Sequence, residues 1–271
     1  MQSHKIKVAV IGATGYTGAE LIRVLAFHSG VELTQLISRS KAGQSVTEVM
    51  PELSNRVDLN FSGTINSGAD VWFLALPHGA SKSFIEEHKA LAGQVKIIDL
   101  SNKFRHINHS KWGGYHFTFG LPELRREEIQ NANHIANPGC FATAITLGLA
   151  PLFHHDKIDG QTSIHINATT GSTGAGASLS ETSHFSYRLN NLSWYKAFTH
   201  QHLAEIGEQL TQKAEGVPKL FFLPQRGAFA RGIFATSYCE FDGSLKEAYD
   251  LYESFYKDAA FTQVVKAPIS L

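Results

Sequence analysis

The sequence predicts an α/β protein in two domains, a parallel sheet flanked by helices followed by an α+β domain. Three observations support this fold class. The length of 271 residues suits two domains of modest size. The first half alternates apolar strand-like runs with amphipathic runs, and from about Ser163 the pattern changes to strands of period two between helices. We therefore predict domains of residues 1–139 and 140–271.

In the first domain, apolar runs predict strands at "KIKVAVIG", "VELTQLIS", "DVWFLAL", "VKIIDLS" and "HIAN". The segments "AELIRVLAFHS" and "SKSFIEEHKALA" have helical periodicity. In the second domain, strands are predicted at "SIHINATT", "KLFFLPQ" and "RGIFATSYCEF". Helices are predicted from Cys140 onward, at Leu203–Ala214 and at Leu245–Asp258, the last after an Asp-Gly turn and a capping box of Ser244 and Glu247.

The composition excludes several classes of partner. The chain has 24 basic and 24 acidic residues, so we expect neither nucleic acid nor a membrane as a partner. The N-terminus lacks the pattern of a signal peptide, and no apolar run reaches about 18 residues, so we expect a cytoplasmic protein. The two cysteines form neither a disulfide framework nor a zinc spacing, and we expect no metal.

A glycine loop, "GATGYTG", joins the first predicted strand to the first helix. Its spacing, G-x-x-G-x-x-G, predicts a Rossmann-type domain in which the backbone approaches a pyrophosphate at the helix N-terminus. A glycine turn without a ligand is the alternative. The residues expected to contact the cofactor here are Gly12, Thr14, Gly15, Tyr16, Thr17 and Gly18.

The second strand ends in "ISRSKAG", where an NAD-binding enzyme would carry an acid for the ribose hydroxyls. Ser38, Arg39 and their neighbours suit a 2′-phosphate instead, so we predict NADP as cofactor. A basic surface turn without a ligand is the alternative. Pro77 follows the next strand of the sheet and is expected at the same carboxyl edge, beside the dinucleotide.

Cys140 stands at the start of an apolar helix, directly after Pro138 and Gly139. A helix N-terminus stabilises a thiolate, which favours a nucleophile that attacks a carbonyl group. A buried structural cysteine is the alternative, and we assign that role to Cys239 within the sheet.

The segment "FTHQHLAEI" supplies a proton-transfer partner for a nucleophilic thiol. His200 and His202 open a predicted helix, with Glu205 one turn beyond. Packing or capping is the alternative for both histidines. The Gly-rich loop "NATTGSTGAGASLSETSHFS" could hold an anion with its backbone and hydroxyl groups, and Arg231 or Arg226 could clamp a carboxylate or phosphate.

Seven segments, in chain order, resemble the N-acetyl-γ-glutamyl-phosphate reductase family of arginine biosynthesis. They are "GATGYTGAELIRVL", "DLSNKFR", "YHFTFGLPEL", "NPGCFATA", "TGSTGAG", "HQHLAEI" and "RGAFARGI". The resemblance covers nearly the whole chain and implies a second domain of the glyceraldehyde-3-phosphate dehydrogenase-like type. It also implies that the enzyme is a homo-oligomer, because related enzymes pair through the sheet of that domain.

The resemblance implies an NADPH-dependent acyl-phosphate reductase. Cys140 attacks the acyl phosphate and expels inorganic phosphate, NADPH reduces the resulting thioester, and the semialdehyde is released. His200 is the matching acid/base, and Glu205 would orient that histidine or the substrate. The residues that the resemblance assigns to the substrate are Ser101, Arg105, Asn137, Ser172, Gly174, His202 and Arg231.

Two departures from the family pattern stand out. The proline of the histidine motif is Ala204 here, and the chain ends before a Gly-rich segment that family members usually carry. The substrate also stays open. A lysine-pathway relative would act on a chain longer by one methylene, a difference of only about 1–3 kcal/mol in a pocket. A non-catalytic NADP sensor is a rival of another class.

Overall fold

The computed structural model describes residues 4–158, 161–211 and 218–266. The described chain forms two compact units, which divide between Pro138 and Gly139, apart from a short segment at residues 121–124 that groups with the second unit.

The first unit contains an eight-stranded sheet of order β3-β2-β1-β4-β5-β8-β7-β6, in which every pair is parallel except β6 with β7. Its strands are β1 (Ile6–Ile11), β2 (Val31–Ile37), β3 (Phe61–Ser62), β4 (Val71–Leu74), β5 (Lys96–Asp99), β6 (Lys111–Trp112), β7 (Tyr115–Phe119) and β8 (His134–Ala136). Its helices are α1 (Tyr16–Leu25), α2 (Val46–Val49), α3 (Ala80–Glu87), α4 (Lys89–Ala92) and α5 (Pro122–Gln130), the last beginning in the segment that groups with the second unit.

Strand β1 shows how this sheet is buried on both faces. Ala9 and Ile11 pack into one apolar cluster, while Val8 and Val10 pack into another. Alternate side chains of a strand point to opposite faces, so the two clusters lie on opposite sides of the sheet. A parallel sheet covered on both faces explains why its strands are almost continuously apolar, and it confirms the predicted fold class.

The second unit contains a four-stranded sheet of order β10-β11-β9-β12, in which β9 and β11 are parallel and the outer pairs are antiparallel. Its strands are β9 (Ser163–Thr170), β10 (Ser193–Trp194), β11 (Lys219–Arg226) and β12 (Ile233–Tyr238). Its helices are α6 (Cys140–His154), α7 (Phe185–Arg188), α8 (His202–Leu210) and α9 (Leu245–Tyr256).

Helix α6 is the centre of the second core. Phe141, Ile145, Leu149 and Phe153 recur at intervals of four residues, and all four are buried. This stripe packs with the inward residues of β9 and β11 and with the apolar face of α8. The other face of the sheet is not covered by these helices, because Ser163, His165 and Asn167 of β9 are exposed.

Most predicted elements match, with shifts at their ends. The strand predicted at "SIHINATT" is β9, with the same bounds. The helix predicted at Leu203–Ala214 begins one residue earlier, and its predicted end lies outside the described residues. No helix in the described part of the chain is long and apolar enough to cross a membrane.

Candidate active site

The glycine loop lies in the first unit between β1 and α1. Gly12 has a φ of 80°, and a Cβ built there would lie 2.3 Å from the carbonyl oxygen of Ala75. A Cβ on Gly18 would lie 2.3 Å from the carbonyl oxygen of Gly12. These two glycines are therefore required by the fold itself, since any larger residue would collide with backbone atoms.

Gly15 has a different environment. The atom nearest to a Cβ built there is 3.6 Å away, so packing does not require glycine at this position. Gly15 is the N-cap of α1, which has no side-chain cap and no acidic residue in its first turn. The N-terminus of α1 therefore has the open, small-residue cradle that a pyrophosphate needs. Thr14, Tyr16 and Thr17 complete the loop around it.

The end of β2 meets the glycine loop. The N–H groups of Gly12 and Ala13 both donate to the carbonyl oxygen of Ile37, and the hydroxyl groups of Thr14 and Ser38 lie 2.8 Å apart. Ser38 is almost buried at 6% exposure. The structure thus brings together Thr14 and Ser38, which sequence reasoning assigned to one cofactor site from segments 24 positions apart.

Arg39 begins a 3-10 turn directly after Ser38, with its side chain 78% exposed. Its guanidinium lies 3.5 Å from the carboxylate of Glu87, an exposed ion pair of little strength. The arginine is therefore accessible to a phosphate group. Pro77 is also exposed and follows β4, whose end is tied to β1 by the bond from the Ala75 N–H to Ile11.

Ser101 is held by a buried carboxylate in this structure, and its assignment to the substrate stays a prediction. Its side chain is 1% exposed, and its hydroxyl donates to Asp99 Oδ2 at 2.7 Å. Ser81 donates to the other carboxylate oxygen at 2.6 Å. Burial raises the pKa of Asp99, and the two serines and Arg105 oppose that shift. The serine therefore serves a buried carboxylate, whose burial the sequence pattern did not reveal.

Arg105 and Asn137 lie close together in the first unit. The Arg105 side chain donates from Nε to the carbonyl oxygen of Asn137 and from Nη2 to that of Leu100, both at 2.8 Å. The N–H of Asn137 donates to the carbonyl oxygen of Asp99. Arg105 is 6% exposed. In this structure it anchors the backbone just before the Pro138-Gly139 turn.

Cys140 is the first residue of α6 and is exposed. Its helix begins at Gly139, an N-cap without a side-chain cap, and has no acidic residue in the first turn. The thiol thus stands where N–H groups and the helix dipole stabilise a negative charge. Cys239 differs, because it packs against the second core and burial raises the pKa of its thiol.

His200 and His202 pack around Phe141, the residue next to Cys140. The ring centre of Phe141 lies 5.5 Å from that of His200 and 6.2 Å from that of His202. Both histidines are buried, at 5% and 6% exposure. The structure therefore brings both predicted histidines to the start of α6, as the pairing of a thiol with a proton-transfer group requires.

The protonation state of His200 follows from its surroundings. Burial, with a smaller effect of Lys196, lowers the pKa of His200 to about 4. The N–H of His202 donates to His200 Nδ1 at 3.2 Å, so Nδ1 is an acceptor. A neutral imidazole carries its single proton on the other nitrogen, here Nε2. At neutral pH, His200 is therefore a hydrogen-bond donor through Nε2.

Glu205 lies in the first turn of α8 and is 2% exposed. Its Oε1 accepts a hydrogen bond of 2.8 Å from the N–H of Gly139. The contact connects the histidine motif to the cysteine motif across 66 positions of the sequence. The family resemblance assigned Glu205 to the histidine or the substrate, whereas this bond joins it to the backbone beside the nucleophile.

Tyr195 is a residue near the site that sequence reasoning missed. Its ring lies 5.8 Å from that of His200, and the Arg226 guanidinium lies 5.0 Å from its centre. Burial raises the pKa of the Tyr195 hydroxyl, Arg226 lowers it and the nearby Cys140 raises it. In the sequence, the only indication that Tyr195 belongs to the site is that it stands five residues before His200.

The Gly-rich loop is folded against the turn before β12. The N–H groups of Gly171, Ser172 and Thr173 donate to Gly232, Phe229 and Ala230, and that of Gly174 donates back to Gly171. The loop therefore uses these four N–H groups internally, and the anion-binding role expected of the loop stays a prediction. The contact brings the loop next to Arg231, whose side chain is exposed.

Comparison with known proteins agrees with this geometry. Residues 7–132 match the model "Semialdehyde dehydrogenase, NAD binding domain", and residues 140–270 match "Semialdehyde dehydrogenase, dimerisation domain". The N-acetyl-gamma-glutamyl-phosphate reductase of Flavobacterium johnsoniae is 48% identical over 267 residues, which cover 98% of this chain and 81% of the relative. The chain belongs to the N-acetyl-γ-glutamyl-phosphate reductase family.

Other relatives support membership of this reductase family. The N-acetyl-gamma-glutamyl-phosphate reductase of Bacteroides thetaiotaomicron is 43% identical over 98% of this chain and 81% of its own length. Among solved structures, aspartate semialdehyde dehydrogenase II of Vibrio cholerae has a TM-score of 0.69 at 17% identity, covering 93% of this chain and 79% of that one. The Candida albicans aspartate semialdehyde dehydrogenase with NADP has a TM-score of 0.62 at 16% identity, covering 94% and 76%. These two structures support the fold.

Proposed function

We propose that this chain reduces an N-acylated γ-glutamyl phosphate to the corresponding semialdehyde with NADPH, through a thioester on Cys140. The observation that carries the proposal is the exposed Cys140 at the N-terminus of α6, beside two histidines at the start of α8, His200 before the helix and His202 as its first residue. The names of the relatives give the substrate class. A sensor without catalysis would have no use for this arrangement.

Cys140 performs the first step. Its thiolate sulfur attacks the carbonyl carbon, the new C–S bond forms, and the C–O bond to phosphate breaks as phosphate leaves with the electron pair. His200 donates from Nε2 to the carbonyl oxygen, where negative charge develops. Bound NADPH supplies the hydride that reduces the thioester carbon. When the C–S bond breaks, the aldehyde leaves and Cys140 returns to the thiolate.

The first unit fits NADPH. The open space beside Gly15 admits a pyrophosphate at the start of α1, and the exposed Arg39 suits the 2′-phosphate. The residues assigned to the cofactor are Gly12, Thr14, Gly15, Tyr16, Thr17, Gly18, Ser38, Arg39 and Pro77. Gly12 and Gly18 act by keeping the backbone close-packed, and Gly15 by leaving room for the ligand.

We assign the substrate's anionic groups to arginine and hydroxyl side chains. Arg231 is exposed beside the Gly-rich loop, where Ser172 can add a hydroxyl group. His202 opens α8 next to His200. Arg105 and Asn137 remain assigned to the substrate by the family resemblance.

The open face of the second sheet supports a homo-oligomer. Phe221 and Tyr238 pair in register with His165, and Phe234 lies two rows along the same face. These aromatic residues are 40–59% exposed, an apolar surface typical of an interface. The match to a dimerisation domain fits a second copy of the chain as occupant. Light scattering on wild type and Phe234→Glu tests this assignment, and we expect the variant to dissociate. A cytoplasmic location remains a prediction.

The substrate assignment is tested by steady-state reduction of two acyl phosphates. We expect N-acetyl-γ-glutamyl phosphate to be reduced with a higher kcat/KM than the aminoadipyl homologue, which is longer by one methylene. The difference should be about 10–200-fold. Preference for the longer substrate would assign the chain to the lysine-pathway reaction, and absence of reduction with either would favour an NADP sensor.

A further inference from the structure

Helix α6 begins without a cap of its own. In a capping box, the residue at N3 supplies a carboxylate to the N–H of the N-cap residue. The N-cap of α6 is Gly139, which has no side chain, and the N3 residue is Ala142, which has no acceptor. The chain therefore supplies neither half of a local capping box at the position of the nucleophile.

Glu205 supplies the missing carboxylate from another helix. Its Oε1 accepts the Gly139 N–H at 2.8 Å, the bond that an N3 glutamate makes within a capping box. The bond is buried, and so is the Gly139 backbone. Since glycine has more backbone freedom than any other residue, a fixed N–H at Gly139 restricts the conformation of the turn that carries Cys140.

We propose that Glu205 is a positioning residue, which holds the Gly139 N–H and thereby sets the direction of Cys140. The inference rests on the proposed role of Cys140 as nucleophile. What matters at Glu205 is the length of the side chain, which brings an acceptor oxygen to the Gly139 N–H, and its negative charge is not required. A misplacement of about 1 Å at a reacting group can cost about 10²-fold in rate, so a small displacement of this turn is sufficient for a large effect.

Two substitutions separate reach from charge. Glu205→Gln keeps an acceptor oxygen at the same reach and removes the charge, whereas Glu205→Asp keeps the charge and is shorter by one methylene. We expect kcat within about tenfold of wild type for Gln and a loss of about 10² for Asp. The KM for the acyl phosphate and the affinity for NADPH should change little in both. Glu208→Gln, one turn along α8, is the matched control and should behave as wild type.

The Gly139 amide gives a readout that does not depend on activity. Hydrogen exchange of this amide, followed by NMR, should be slow in wild type and Glu205→Gln and at least tenfold faster in Glu205→Asp. If the wild type fails to reduce the acyl phosphate, the proposed function fails while amide exchange still decides whether Glu205 holds the turn. The inference is overturned if Gln loses as much activity as Asp, or if Asp retains the wild-type exchange and acylation rates.

Discussion

Two kinds of helix start can be compared in this protein. α2 and α9 carry complete capping boxes, in which Ser45 pairs with Glu48 and Ser244 pairs with Glu247. α1 and α6 begin after a glycine, and neither has a side-chain cap or an acidic residue in its first turn. α1 follows the glycine loop and α6 begins with Cys140. α3 also begins after a glycine, Gly79, without a side-chain cap or a first-turn acid, so an open start alone does not mark a functional helix.

The difference distinguishes two locally capped helix starts from the two that carry the candidate functional groups. A capping box satisfies the exposed N–H groups and places a negative charge at the positive end of the helix dipole. Such a charge would compete with a pyrophosphate at α1, whereas at α6 a carboxylate is present but comes from Glu205 on another helix. A helix that starts after an uncapped glycine leaves its first N–H groups available to a ligand. At α6, the hydrogen bond from the Gly139 N–H to Glu205 on another helix holds the turn.

The largest effect is expected from Cys140→Ser. The serine hydroxyl is far less acidic than a thiol and forms no thioester, so reduction should fall by more than about 10³-fold while NADPH affinity stays nearly unchanged. Cys239→Ser is the matched control, because that thiol packs in the core of the same unit. Normal turnover by Cys140→Ser would end the assignment of α6 as a functional helix start.

Replacement of His200 should have the next largest effect, and the choice of amide tests its tautomer. His200→Asn cannot reach the position of Nε2, and we expect kcat to fall by about 10²–10⁴-fold. His200→Gln places an N–H near that position and should lose about tenfold. Because the pKa of His200 is about 4, it stays neutral, and kcat should show no inflection from it between about pH 5 and 8. Equal losses in both variants would contradict the donor role.

The cofactor site beside the start of α1 is tested by Arg39→Asp, in the turn after β2. The arginine should contact only the 2′-phosphate, so the variant should lose about 10–100-fold in affinity for NADPH and little for NADH. Fluorescence titration with both cofactors gives the two dissociation constants. Arg126→Asp, an exposed residue on α5, is the control and should change neither. Equal binding of NADPH and NADH by the wild type would contradict the assignment.

The smallest effect is expected at the locally capped helix α9. Ser244→Ala removes the cap, which should lower the free energy of unfolding by about 1 kcal/mol. Thermal or urea unfolding measures this loss. Reduction at a temperature where the variant is folded should be unchanged, because this helix start binds no ligand. A large loss of kcat there would erase the distinction between the two kinds of helix start.

Local patterns in the sequence were sufficient for much of the fold. The alternation in "SIHINATT" predicts β9 because every second side chain enters the core. The Asp-Gly turn with Ser244 and Glu247 predicts the start of α9 because a capping box is a local contact. The glycine loop and the Cys140 turn were likewise visible, because each is encoded within a few neighbouring residues.

Contacts between distant segments could not be predicted in the same way. The bond from Gly139 to Glu205 spans 66 positions, and Ser101 bonds a carboxylate, that of Asp99, which also accepts from Ser81 on helix α3. The β6–β7 hairpin was missed because its first strand has only two residues. The backbone groups of the Gly-rich loop are occupied because the turn before β12 folds onto it, which no pattern within the loop encodes.

The central claim is that Cys140, at the open start of α6, forms a covalent bond to the substrate. The most direct test is mass spectrometry of the enzyme after incubation with N-acetyl-γ-glutamyl phosphate without NADPH, followed by peptide mapping. The account predicts an acyl adduct on the peptide that contains Cys140, none on Cys239, and its loss when NADPH is added. An enzyme that reduces the acyl phosphate at a normal rate but never shows an adduct on Cys140 would contradict it.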